Sequence, residues 1–157
     1  MASLTFQSAA VMLLRECFEG KEPVNTYTWF VEGKEGLFDA FDSLTAGKAS
    51  HRPGPDSATI AAHCYHLLYA LRGSNTVHGA PEPAGSWSDS WLKTEATEAE
   101  WEELKAAIRT EYASFMQWFR NHSEWSDETT LCGALATLPH MAFHLGAIRQ
   151  LMRLTPA

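Results

Sequence analysis

Near the C-terminus runs a line of apolar residues, Ala134, Leu138, Met141, Leu145, Ile148 and Met152, spaced 4-3-4-3-4. An α-helix, with 3.6 residues per turn, brings such positions onto one face, whereas a strand would scatter them over both faces of a sheet. The same spacing recurs three times: in Phe6, Ala10, Leu13 and Cys17; in Ile60, Cys64, Leu67 and Leu71; and in Trp101, Leu104, Ile108, Phe115 and Trp118, where Glu111 interrupts the line. No run alternates as a half-buried strand does. Four amphipathic helices need one another to bury their stripes, so the expected fold is all-α, an up-down-type four-helix bundle forming a single domain over residues 1–157.

Punctuation along the chain divides these lines. Gly20 is a stop for the first helix. A short extra helix is expected within 35–46, and the proline and glycine of HRPGPD at 51–56 make a loop. The second long helix is expected just after Pro55, with Asp56 or Ser57 as its N-cap, and to end near Gly73-Ser74-Asn75. A long loop-rich connection, GAPEPAGSWSDSW at 79–91, leads to the third helix, which Thr97-x-x-Glu100 opens as a capping box. The last helix runs over about 129–153. Pro139 lies inside it, and a proline there predicts a kink or a local break.

With 12 basic and 19 acidic side chains the net charge is −7, which disfavours nucleic acid as a partner because phosphate contacts need clustered Lys and Arg. No run approaches the roughly 20 apolar residues of a bilayer span, so no membrane partner is expected. Cys17, Cys64 and Cys132 fit neither a disulfide framework nor a cysteine-rich zinc module, and are expected as free, buried thiols. The N-terminal run lacks a basic leader and is broken by Arg15 and Glu16, so it is a poor export signal and a cytoplasmic location is expected. Asn121-His122-Ser123 has the form of a glycosylation sequon, which without export is a chance match. The six tryptophans are expected mainly as packing, with Trp87 and Trp91 placed to line a pocket. Glu95, Glu98, Glu100, Glu102 and Glu103 read as a solvated helix start.

Histidine carries the chemistry. Two of the seven, His140 and His144, are four apart in HMAFH and stack on one helical face about 6 Å apart, close enough to share a metal. His63 and His66, in HCYH, are three apart on the second helix. His66, His140 and His144 each precede a core residue, which sets them about 100° round from the buried line, where side chains of facing helices converge. Half-buried histidines satisfied by hydrogen bonds are the plainer reading of each pair. Met141 stands where HExxH has its glutamate, so a zincin-type peptidase is disfavoured. GxSxG, Walker and GxGxxG motifs are absent.

Thr59-Ile60-Ala61 … His66-Leu67 on the second helix and His140 … His144-Leu145-Gly146 on the last resemble the motifs of the DinB-like, or YfiT-like, superfamily of metal-binding four-helix bundles. The match spans roughly residues 3 to 153 and includes the GSWSDSW loop before a tryptophan-bearing third helix. Many members follow the last histidine with Arg-Gly-Gln; here the run is Leu145-Gly146-Ala147, with Arg149 and Gln150 displaced. The resemblance implies that His66, His140 and His144 bind one divalent metal (zinc or nickel, with iron or manganese as further candidates), with His63 a turn away as a neighbour of the ligands.

Three imidazoles leave coordination positions open, the pattern of a catalytic rather than a structural site. A metal held so lowers the pKa of a bound water or thiol. By resemblance, the expected activity is that of a thiol-dependent S-transferase using a low-molecular-weight thiol and a small-molecule electrophile, with no catalytic side chain assigned. A metal-dependent hydrolase is the close variant. The alternative from another class is a non-catalytic metal- or ligand-binding bundle, such as a stress-related dimer; a homodimer fits either reading.

Overall fold

The computed structural model describes residues 6–21, 27–32, 35–122 and 124–156. The first five residues and Ser123, which closes the sequon, lie outside them. Among the described residues there are six α-helices, two 3-10 turns and no strand. The helices are α1 (Phe6–Glu19), α2 (Leu37–Asp42), α3 (Ala46–Ala49), α4 (Ile60–Asn75), α5 (Glu98–Asn121) and α6 (Glu128–Leu154). The fold is all-helical, as expected.

α1 and α4 pack against both α5 and α6, so the four long helices close a ring of contacts around one core. The line Ile60, Cys64, Leu67 and Leu71 is buried along its whole length on α4, and each large aliphatic side chain there contributes roughly 1.5–3 kcal/mol. On α5 the buried line is Trp101, Leu104, Ile108, Tyr112, Phe115 and Phe119, with Tyr112 filling the position that Glu111 interrupted and Trp118 half-buried beside it. α1 departs from expectation: Phe6 is 73% exposed, and the buried face is Ala10, Val11, Leu14, Cys17 and Phe18. Only Trp101 of the tryptophans is fully buried, its indole N–H donating to the Leu44 carbonyl at 3.0 Å, while Trp29 and Trp87 are exposed.

Boundaries follow local chemistry. Gly20 takes φ 72°, and its N–H bonds the Glu16 carbonyl at 2.9 Å, which closes α1. α4 begins later than expected: its cap is Thr59, not Asp56 or Ser57. The Thr59 hydroxyl accepts from the Ala62 N–H at 3.1 Å and donates to the Thr94 carbonyl at 2.6 Å, so one residue caps α4 and pins the segment leading to α5. The capping box at Thr97 and Glu100 is present. The short helix expected within 35–46 is α2, and α3 follows it as an extra turn capped by Thr45.

α6 is continuous through Pro139, so no break occurs there. The proline is exposed, which lets water reach the backbone carbonyl it leaves without a donor. By length and composition alone α6 could cross a membrane, contrary to the expectation that no segment could; it packs on α1 and α4 with 33% of its apolar window buried. Cys17 and Cys64 are buried free thiols, whereas Cys132 is exposed.

A further element was not anticipated. Glu16, on the buried side of α1, accepts the backbone N–H groups of Trp29 (2.8 Å), Phe30 (2.7 Å) and Val31 (2.9 Å), straps residues 27–32 to the helix, and buries Val31. Gly36 approaches the end of α1 so closely that a Cβ there would lie 2.5 Å from the Gly20 nitrogen.

Candidate metal centre

α4 carries His63 and His66 and α6 carries His140 and His144, and packing of these two helices brings all four imidazoles together. Ser74 of α4 and Thr137 of α6 brace that contact one side of the site, their hydroxyls 3.0 Å apart. The Nε2 of His140 lies 2.9 Å from that of His144 and 3.2 Å from that of His66. Ligand atoms of the three residues fall within 4.8 Å of one another. His66 and His144 are buried and His140 is half-buried.

Hydrogen bonds around the cluster decide where the protons sit. The Ser90 hydroxyl donates to the Trp87 carbonyl at 2.6 Å, so toward His66 Nδ1, 2.7 Å away, its oxygen accepts. His66 is therefore protonated on Nδ1, and its Nε2 lone pair points at the other two rings. His63 Nδ1 and His144 Nδ1 are 2.8 Å apart, so one of them donates. When His144 donates, its Nε2 is also left as a lone pair.

All four rings are held neutral. Burial draws the pKa of His66 down to about 4 and of His144 to about 3, with neighbouring imidazoles adding to each; burial likewise lowers His63 and His140. Neutral imidazole is the form that binds a cation. Two facing nitrogens at hydrogen-bond distance need one proton between them, and His140 Nε2 faces two such partners with at most one proton to offer. A divalent ion satisfies three lone pairs at once. Tetrahedral coordination at about 2.0–2.1 Å sets ligand nitrogens about 3.3 Å apart, so the donor set fits such an ion in type and spacing.

An aromatic shell closes over the cluster. Trp91 stacks on His66 with ring centres 4.2 Å apart and planes at 22°, and meets His63 edge-on at 5.1 Å. Trp87 meets His66 edge-on at 4.5 Å and leans on His140 at 5.3 Å. Phe143, itself exposed, sets its edge against His144 at 5.1 Å. The two tryptophans come from the loop before α5, around the 3-10 turn Asp89–Trp91, and they cap the site rather than line an open pocket.

All three ligand candidates read from the sequence are thus brought together, and His63 joins them through His144. Ser90 was not foreseen: its partner lies 24 residues away on another element, and no local pattern carries that pairing. Comparison of the chain with family models, with curated proteins and with solved structures returned no match.

Proposed function

We propose that this chain is a divalent-metal-dependent enzyme of the DinB-like kind, in which His66, His140 and His144 hold one ion and a low-molecular-weight thiol is activated for transfer to a small electrophile. The observation that carries the metal reading is the convergence of three Nε2 atoms, with the outward nitrogens of His66 and His144 engaged by Ser90 and His63. Such outer partners fix the tautomer and orientation of ligating histidines. The ring of contacts among α1, α4, α5 and α6 supports the bundle architecture that goes with this reading.

A bound ion would supply the acidity that turns a thiol or water into a nucleophile at neutral pH. The chain's own residues do the rest: three neutral imidazoles leave coordination positions open, and Trp87, Trp91 and Phe143 offer an apolar wall beside them. No carboxylate hydrogen-bonds any of the four rings among the described residues, so no general base is offered, which favours the thiol reading over hydrolysis. A reducing cytoplasm suits the unpaired thiols, and a homodimer goes with the same reading.

The cap favours a second reading, a non-catalytic metal-binding bundle, because Trp87 and Trp91 lie directly over the rings. Metal analysis of tag-free protein tests the shared premise: wild type is expected to carry near-stoichiometric metal, and His140→Ala and His144→Ala to lose it. Metal retained by both variants refutes the triad. Thiol panels with electrophilic substrates then separate the readings, since turnover that ignores added thiol excludes the transferase.

A further inference from the structure

We infer that Ser90 is a positioning residue for His66 and ties that ligand to the Trp87–Trp91 cap, so that a bound metal holds the cap shut, an inference that rests on the metal reading of the triad. The hydroxyl sits in a directed chain. His66 Nδ1–H donates to Ser90 Oγ, and Ser90 Oγ–H donates to the Trp87 carbonyl. Reversing the first bond would require Ser90 to give up the second, so the cap conformation shown here selects the His66 tautomer whose Nε2 lone pair faces His140 and His144.

The same turn presents Trp91 flat on the His66 ring, and that turn is held by its own bonds. The Ser90 N–H reaches the Ser86 carbonyl at 3.2 Å, and the Leu92 N–H reaches the Asp89 carbonyl at 3.0 Å. Asp89 Oδ2 accepts from both the N–H and the hydroxyl of Ser86. Ligand orientation and cap closure are therefore two ends of one hydrogen-bonded unit. An ion that draws on the His66 Nε2 lone pair makes Nδ1–H a stronger donor, which tightens the bond to Ser90 and holds the cap. Opening the cap releases Ser90 and lets His66 rotate or change tautomer, which weakens the site.

Cobalt(II) is the probe. Titrated into tag-free wild type, it is expected to quench tryptophan emission saturably, because two indoles lie against the ligand rings. It should also slow amide hydrogen exchange across residues 86–92. Ser90→Ala is expected to weaken Co²⁺ binding about ten- to a hundredfold and, even at saturating Co²⁺, to lose the slowed exchange. Ser90→Thr, which keeps the hydroxyl, restores both, and Ser114→Ala, at a half-buried serine of α5 outside the cap, leaves both unchanged. Far-UV circular dichroism checks that the variants keep their helices. Wild-type affinity in Ser90→Ala, or cap protection that survives there, overturns the inference while leaving the triad intact. Failure of wild type to bind Co²⁺ overturns the metal reading itself.

Discussion

Replacing Glu16 by alanine should destabilise the protein far more than the loss of one acidic side chain from α1 suggests. The carboxylate is buried and accepts three consecutive backbone amides at 2.7–2.9 Å, that of Trp29 with both oxygens. A hydrogen bond to a charged group is worth about 1.5–3 kcal/mol net, so three taken independently would sum to roughly 5–9 kcal/mol. They share one carboxylate, however, and the strap can lift away and rehydrate its amides. That release gives up the burial of Val31 but regains the conformational entropy of residues 27–32, so the loss falls below the independent sum, and we expect about 3–4 kcal/mol for Glu16→Ala. Glu16→Gln should lose about half as much, because one oxygen still accepts from Phe30 and Val31 while the amide nitrogen faces the Trp29 N–H. At about 2–4 °C per kcal/mol for a chain of this size, the alanine variant should melt about 6–16 °C lower. Urea titration of both variants reads the free energies directly. A loss below about 1 kcal/mol for the alanine variant would refute the strap as a fold-stabilising device.

Two further outcomes follow from burial. Burial raises the Cys17 pKa to about 12, the charge of Glu16 adding to it, and burial also drives Cys64 upward, while Cys132 is exposed. A disulfide reagent at pH 8 should therefore label one thiol quickly in the native protein and three in denaturant, and a second fast thiol would contradict the packing of α1 or α4. The depressed histidine pKa values make the metal-free protein acid-sensitive: below about pH 6.5 the unfolded chain binds protons that the folded cluster refuses, so stability falls with pH until His66 and His144 titrate near 4 and 3. Calorimetry in chelator should show Tm dropping from pH 7 to pH 5.5, above the range where ordinary carboxylates titrate, and a flat Tm across that interval would argue against neutral burial.

Much of this was legible in local pattern. The α4 line and the α5 capping box are properties of neighbouring residues, and the spacing of His140 and His144 alone places them on one face. What could not be read is what distant residues decide. Phe6 continues the spacing of α1 but lies on its exposed first turn, because the core takes Val11 and Phe18 instead. Thr59 displaces Asp56 and Ser57 as cap because its hydroxyl also finds Thr94, a residue 35 positions on. Glu16 offered a faint signal, an acid between Leu14 and Cys17 on the buried side, yet its partners are amides, which every sequence supplies equally. Trp87 and Trp91 were expected from their place on a loop to line a pocket, and only tertiary packing set them over the histidines as cover.

Division of the three imidazoles between two rods has a mechanical consequence. His140 and His144 ride on one helix and keep their separation whatever the rest of the molecule does, whereas His66 arrives from a helix 74 residues earlier in the chain. An ion clasped by all three would cross-link the chain much as a covalent bridge does, and closing a loop of that length removes conformational freedom from the unfolded chain equivalent to about 4 kcal/mol. The pair on α6 can capture the ion first and the third arm lock it. Removing such an ion would then take away one tie between α4 and α6, leaving their own packing and the Ser74–Thr137 bond to hold them together.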